Sequence, residues 1–305
     1  MSCPDLSVVV ASYNTRDLLR NCLRTVFDTT AGIELEVIVV DDCSPDDSCA
    51  MVEAEFPNVR LIRNPENVRY AKTNNAGLRA AQGRYGLLLN SDTEVQPDAF
   101  RTLVEFMDSH PEAAAAGPKL INPDGSIQHC VRSFTGLWPM VFQTLNLHLV
   151  WPNNPFTRPY YNTHLDPDEP TRVQSIGTTA FIIRRSTWEE VGMLDERFTL
   201  AFVDLAYCHR LAASDKPVYY VPHAVVLHFG SQSINQNGVR EIYLQHSALR
   251  LFYDHYVGVR HGPIKRVAVH GCIAIRKWLK ALEFRLSRDK RVLKGPGAPA
   301  ARRGT

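Results

Sequence analysis

The chain has 305 residues, 45% hydrophobic and 22% charged, with a formal net charge of +2. Those values are ordinary for a soluble globular protein and allow one large α/β domain, or one domain with an appendage; they exclude a disordered or fibrous chain. The near-neutral total conceals a division, because Arg260 to Thr305 carries 13 Lys/Arg against Glu283 and Asp289, a net +11 that leaves −9 for everything before it.

The first predicted element is a buried strand at Leu6 to Ala11, followed by polar turn residues Ser12-Tyr13-Asn14-Thr15. Leu18, Leu19, Cys22, Leu23, Val26 and Phe27 then recur at the spacing of one helix face. Leu35 to Val40 predicts a second strand ending in Asp41-Asp42. Ser44 with Pro45 behind it and Asp47 three residues on predicts a capped helix running to about Phe56. Val59 to Ile62 predicts a third strand, about Tyr70 to Gln82 a helix, and Tyr85 to Leu89 a fourth strand. Leu87-Leu88-Leu89 shows no alternation, which suits a strand covered on both faces. It ends abruptly in Asn90-Ser91-Asp92, and a helix is expected from near Pro97.

Further on, Ala113 to Ile121 predicts a strand and Asn122-Pro123-Asp124-Gly125 a turn. Residues Phe134 to Pro170, rich in Pro and aromatics, are expected to be irregular, with one short helix near Val141 to Leu149. Arg172 to Arg185 is expected to return as one strand. A short helix from Ser186 to Gly192 and another around Asp204 to Ala212 follow, then short strands at Val218 to Val221 and Val225 to His228 and a polar loop, Phe229 to Ser233.

Strands alternating with helices predict βαβ units and a mostly parallel sheet. Crossover handedness puts the carboxyl ends of those strands on one edge, where ligands gather. Tyr13, Asp41, Asp42 and Asp92 are therefore expected to share a crevice. Plainer readings stand beside these: Asp92 as a turn cap, Tyr13 as core packing, Asp41 as a helix cap, and His228 as a satisfied structural histidine. Neither G-x-G-x-x-G nor G-x-x-x-x-G-K-[ST] is present, which argues against a dinucleotide-dependent dehydrogenase. A nucleotide diphosphate bound without a glycine cradle needs its charge offset otherwise, and a divalent cation on Asp92, with His228 as a second ligand, would do so.

The seven Cys, at 3, 22, 43, 49, 130, 208 and 272, form no C-x-x-C pair. That argues against a disulfide framework or zinc ribbon and for a reducing compartment. No basic, apolar leader opens the sequence, and the longest uncharged run in the tail, Val267 to Ile275, falls short of the about 20 residues a membrane helix needs. The expectation is a cytoplasmic protein. In the tail, Ile275, Leu279, Leu282 and Leu286 form a stripe at helical spacing beside Trp278, among Arg276, Lys277, Lys280, Arg285 and Arg288. That pattern suits a helix lying in an anionic membrane surface, such as the inner face of the plasma membrane, and no recognisable nucleic-acid module accompanies the charge. The plainer reading is a helix packed on the body with a disordered basic end from about Gly295.

Several ordered motifs carry a resemblance. Ser7 to Asn14, Val39 to Asp46, Arg63-Asn64-Pro65-Glu66-Asn67 and Leu89 to Thr93 closely resemble the inverting glycosyltransferases of family two, nearest the bacterial rhamnosyltransferase group. Asn122 to Ser126, Asp195-Glu196-Arg197-Phe198 and Val225 to His228 extend it. The resemblance implies a single GT-A-type α/β domain over 1–257, with a nucleotide-binding half at 1–110 and an acceptor half at 111–257, and a basic helical tail at 258–305. It implies transfer of a sugar, such as rhamnose, from a dTDP- or UDP-sugar to a hydroxyl of a glycan or lipid-linked glycan, with Mg²⁺ or Mn²⁺. It assigns Tyr13, Asp41, Asp42, Asn75, Asn90, Ser91 and Asp92 to the sugar nucleotide, Asp92 and His228 to the metal, and Asp204 to the catalytic base. Arg69 stands where relatives carry Gly and, with Lys72, adds positive charge for a diphosphate. Val203 and Ala206 replace the family's acidic neighbours of the base, which raises the alternative of a catalytically impaired sugar-nucleotide-binding subunit.

Overall fold

The computed structural model describes residues 3–29, 32–134, 151, 154–155, 168–199, 201–230 and 238–294. The run of Val between Leu6 and Ala11 forms β1 (Leu6–Ser12), paired in parallel with β2 (Leu35–Asp41) and β4 (Tyr85–Asn90), while β3 (Arg60–Arg63) extends the sheet beyond β2. β1, β2 and β4 are buried along most of their length because helices cover both faces.

Alternation sorts their side chains into two cores. Val8, Val10, Val39, Leu87 and Leu89 face α1 (Arg16–Thr29), α2 (Ser48–Glu55) and α4 (Ala99–Ser109), meeting Leu19, Leu23, Met51, Phe100 and Leu103. Val9, Ile38, Val40 and Leu88 face the other way, toward Leu78 on α3 (Tyr70–Ala80), Trp188 on α5 (Arg185–Val191) and Leu205 on α6 (Val203–Ala213). Complete burial of each Val or Leu stabilises by about 1.5–3 kcal/mol, so the parallel strands carry much of the core's stability. Gly77 lets α3 lie close on the sheet: a Cβ there would stand 2.2 Å from Val9 Cγ1.

The second half departs from a simple parallel pattern. β5 (Thr93–Val95) is a short strand after Asp92, and β6 (Ala115–Ile121) leads into β7 (Ile127–Gln128) and β8 (Val131–Arg132). The stretch expected as one strand from Arg172 to Arg185 is instead β9 (Thr171–Val173), β10 (Ser175–Ile176) and β11 (Ala180–Arg184), broken by a turn at Gly177-Thr178-Thr179. Conversely, the two short strands near 220 are one strand, β12 (Val218–His228), whose register slips between Val221 and Val225. The sheet order is β3-β2-β1-β4-β11-β6-β12-β5, with β11 antiparallel between β4 and β6.

Ser44 is not the helix cap that its neighbours suggest. The helix begins at Ser48, and Ser44 lies in the preceding loop, where its N–H donates to Asp41 Oδ2 and its Oγ accepts from Asn14 N. That site offers it two partners from other strand ends, which outweigh a local capping box.

After β12 come α7 (Gly238–Phe252), a turn spanning Tyr253 to Arg260, and α8 (Pro263–Lys294). The expected 257/258 division falls inside that turn. Leu249 and Tyr253 pack against Val269 and Ile273, so α8 is seated on α7. Its opposite face leaves Ile264, Val267, Ile275, Trp278 and Leu282 exposed. No helix among the described residues is long and apolar enough to cross a membrane. The expected helix at 141–149, Trp138, Tyr160 and Tyr161, residues 231–233 of the polar loop and the end from Gly295 lie outside the described residues.

Candidate active site

The carboxyl ends of β1, β2 and β4 bring the acidic and amide residues together. Ser12 Oγ is 3.2 Å from Thr15 Oγ1, which is 2.9 Å from Ser91 Oγ, so hydroxyls stitch the end of β1 to the end of β4. Tyr13 is half-buried beside them. Asp41 is 3% exposed; its Oδ2 accepts from Ser44 N at 2.9 Å, while Oδ1 is buried with no hydrogen-bond partner. Asn90 donates its backbone N–H to Thr179 O, and its side-chain Oδ1 is likewise buried and unpartnered. Buried polar atoms without partners are rare, because each forfeits a hydrogen bond that water would have supplied. Two on one strand edge mark a place where a polar ligand completes the bonding.

Asp42 plays a different part from the one the motif implies. Its Oδ1 accepts from Asn64 Nδ2 and Val68 N and its Oδ2 from Arg69 N, all near 3 Å. Its carboxylate therefore shapes the 64–69 loop. Arg69 sits at φ 75, ψ 169, a region in which glycine is at ease and other residues are strained. Its carbonyl accepts from Thr73 N and Thr73 Oγ1, so the strained residue is held from both sides. Lys72 is exposed on the next turn. Asn75 is also redirected: its Nδ2 donates to Leu194 O and Glu196 Oε1, and its Oδ1 accepts from Leu194 N. Both amide hydrogens are occupied, so Asn75 braces α3 to the Asp195-Glu196-Arg197-Phe198 segment.

The metal pair is assembled by strand pairing. β12 runs antiparallel to β5 with His228 opposite Thr93, and Phe229 N donates to Asp92 O. His228 Nε2 thereby comes 3.3 Å from Asp92 Oδ1. The contact is not aligned as a hydrogen bond, and Nε2 is otherwise buried without a partner. On the other side of the ring, Nδ1 lies 2.6 Å from Gln128 Oε1. An imidazole nitrogen beside a carboxylate is a donor set that suits a divalent cation. Among the described residues no third His, Cys, Asp or Glu joins them. A hard cation there would complete its shell with phosphate oxygens and water.

Asp204 lies in the first turn of α6, half-buried, with Oδ1 accepting from Leu205 N. Burial raises its carboxyl above the ordinary range, against the opposing pull of that backbone N–H and of the Arg132 guanidinium. Gly177 lies beside it, where a Cβ would make ordinary contact at 3.9 Å from Asp204 Oδ2. Tyr70 lies within electrostatic reach of this carboxylate and of Asp92. Its hydroxyl donates to Thr178 O at 2.8 Å, burial raises its pKa, and both Asp204 and Asp92 raise it further.

Tyr70, Thr178 and Gln128 were not singled out by sequence reasoning. The first two carry no pattern, and Gln128 becomes visible only once β7 is folded back on β6.

The profile of the family described as glycosyl transferase family 2 matches residues 7–164. The chain belongs to glycosyl transferase family 2. An N-acetylglucosaminyl-diphospho-decaprenol L-rhamnosyltransferase of Mycobacterium tuberculosis is 27% identical over 286 residues, 90% of this chain and 92% of that relative. Among solved structures, a mannosyltransferase from Pyrobaculum calidifontis in complex with GDP-Man and Mn²⁺ superposes with a TM-score of 0.58 at 16% identity, covering 98% of this chain and 78% of that one. GalNAc-T7 with UDP, GalNAc and Mn²⁺ gives 0.56 at 17% identity, covering 74% of this chain and 44% of that one. The fold is that of the GT-A glycosyltransferases, and the family 2 chain is a glycosyltransferase.

Proposed function

We propose that this family 2 enzyme moves a hexose, rhamnose in the reading most consistent with its relative, from a dTDP- or UDP-linked donor to a hydroxyl of a glycan or lipid-linked glycan, with inversion. The observation that carries the proposal is the set of buried, unpartnered polar atoms along one edge: Asp41 Oδ1, Asn90 Oδ1 and His228 Nε2. Asp41 Oδ1 accepts the imide N–H of a pyrimidine base, with Tyr13 against the ring. Asn90, Ser91 and Asp92 line the path of the diphosphate, and Arg69 and Lys72 add positive charge to it. Asp42 and Asn75 contribute indirectly, by shaping the 64–69 loop and seating α3.

Asp204 takes the acceptor proton. As the acceptor oxygen bonds to the anomeric carbon, the bond from that carbon to the diphosphate oxygen breaks and its electron pair leaves with the diphosphate. A raised carboxyl pKa brings Asp204 closer to working pH and strengthens it as a base. Mg²⁺ or Mn²⁺ held by Asp92 and His228 would neutralise charge on the leaving diphosphate. The retained carboxylate of Asp204 and the Asp92–His228 donor pair favour turnover over a purely binding role.

The tail belongs to the same reading. The exposed stripe of α8 lies opposite its packed face, with Lys265 and Arg266 exposed at its start. It suits an anionic lipid surface that brings the enzyme to a lipid-linked acceptor, on the cytoplasmic side of the plasma membrane. Sedimentation with anionic but not zwitterionic vesicles, with a blue shift of Trp278 emission, is the expected result; indifference to both vesicle types removes the tail from the proposal.

A melting screen of nucleotide sugars with and without Mn²⁺ tests the core of it, because a ligand that binds only the native state raises the melting temperature. A dTDP- or UDP-sugar that stabilises only with Mn²⁺, followed by transfer to an acceptor, is expected. Stabilisation by no nucleotide sugar overturns it.

A further inference from the structure

We propose that Gln128 is a positioning residue of the cation site: its amide oxygen takes the Nδ1–H of His228, which leaves the Nε2 lone pair facing the cation beside Asp92. This rests on the metal reading above and adds to it a residue more than thirty positions from Asp92 and a full hundred from His228.

The direction of each bond follows from one end of a chain of side chains. Asp124 accepts from Ser126 Oγ at 2.6 Å and from Ser126 N at 3.0 Å. Those bonds hold its carboxyl below the ordinary range, so it remains ionised and can only accept. Ser126 Oγ, its proton committed, accepts from Asn122 Nδ2 at 2.9 Å. That orients the Asn122 amide with Oδ1 outward, where it accepts from Gln128 Nε2 at 3.0 Å. Gln128 is thereby oriented in turn, with Oε1 toward His228. An amide oxygen cannot donate, so the 2.6 Å contact requires the proton on His228 Nδ1. With that proton fixed on Nδ1, Nε2 is the nitrogen left to offer a lone pair to a cation beside Asp92.

The backbone delivers this geometry. Gly125, at φ 81, closes the turn that folds β7 back on β6, with Gln128 opposite Leu120. β12 lies on the other side of β6, with Leu227 opposite Ile121. Gln128 and His228 therefore meet across one intervening strand. The Asn122-Pro123-Asp124-Gly125-Ser126 motif thus does more than turn the chain, because it fixes a hydrogen-bond polarity that ends at the cation.

Two measurements on the full chain test this. Mn²⁺ affinity, read from the electron paramagnetic resonance of free Mn²⁺ without nucleotide, is expected to fall about 10–100-fold in Gln128→Ala and to be restored in Gln128→Glu, whose carboxylate also accepts Nδ1–H. Nitrogen-15 spectra of the metal-free protein near pH 8 are expected to report the Nδ1–H tautomer of His228 in the wild type and the Nε2–H tautomer in Gln128→Ala. Wild-type Mn²⁺ affinity in Gln128→Ala, or a His228 tautomer that ignores the substitution, overturns the role of Gln128 while leaving the metal pair intact. A wild type that binds no Mn²⁺, or binds it no better than Asp92→Asn, overturns the metal reading itself and this role with it.

Discussion

The backbone N–H of Arg69 is held at 2.9 Å by Asp42 Oδ2, across a residue whose φ of 75 and ψ of 169 belong to glycine. A non-glycine residue there is strained by about 1–3 kcal/mol, so the guanidinium is kept for something other than stability. Arg69→Gly is expected to raise the melting temperature and, at the same time, to raise the donor KM about tenfold, as one charge-assisted contact is worth about 1.5 kcal/mol. Calorimetry and donor titration on the same preparation check both halves. An unchanged KM would show that the side chain does not meet the diphosphate.

Asp204→Asn separates chemistry from stability. Removal of the base is expected to lower kcat about 10²–10⁴-fold. Burial raises the folded-state pKa of Asp204, so the folded protein binds this proton more tightly than the unfolded chain. The sign follows: the charged group costs stability above its raised folded pKa, and that cost disappears as pH falls to the ordinary carboxylate value near 4. The variant is therefore expected to melt higher than the wild type at pH 7, with the difference shrinking in acid. Wild-type activity itself is expected to fall as pH drops through the raised pKa, because the base is then protonated. Near-normal transfer by Asp204→Asn would mean that another group takes the proton.

Removal of the cation and removal of its ligands should converge. EDTA treatment is expected to abolish transfer, and Mn²⁺ to restore it. Asp92→Asn and His228→Ala should each lose the Mn²⁺-dependent rise in melting temperature while folding normally. If either variant keeps the Mn²⁺ response, the cation sits elsewhere.

Asp41→Asn keeps an acceptor for Ser44 N but turns an amide N–H toward the place of the unpartnered Oδ1. A donor would then face the imide N–H of the base. The loss of about 1–3 kcal/mol for an unmatched buried polar contact corresponds to a tenfold or greater rise in donor KM, with kcat little changed. Isothermal titration with dTDP and UDP reads this directly, and unaltered affinity removes Asp41 from the base site.

Gly77→Ala tests the close seat of α3. Alanine favours helix, yet its Cβ would meet Val9 Cγ1 at 2.2 Å and Val40 Cγ2 at 3.2 Å. Overpacking of this kind costs about 1–3 kcal/mol. A lower denaturation midpoint with an unchanged slope is the expected outcome; a more stable protein would show that the helix is free to retreat.

The parallel half was legible because it obeys local rules: unbroken apolar strands, helices with one apolar face, and carboxylates at strand ends. Asp41 and Asp92 are marked by their places at strand ends and His228 by the resemblance to the family; the structure brings the last two within 3.3 Å of each other. What escaped depends on non-local partners. Ser44 follows Asn14 and Asp41 instead of its own helix. Asp42 and Asn75 look like ligand residues by position, yet their side chains are occupied by Arg69 and Leu194. At the break Gly177 N is bonded to Cys130 O and Tyr70 reaches Thr178, neither of which a single-strand pattern reveals.

The three residues of β5 have a consequence for the order in which the enzyme becomes competent. Asp92 is in place as soon as β4 and β1 pair, but its imidazole partner is on the last strand, and only the Thr93 to His228 pairing unites them. Contacts of such long sequence separation form late, after loop closure has been overcome. On the proposed reading, the first half of the chain alone could not hold the cation until β12 docks, and the ion would then act as a clasp between β5 and β12.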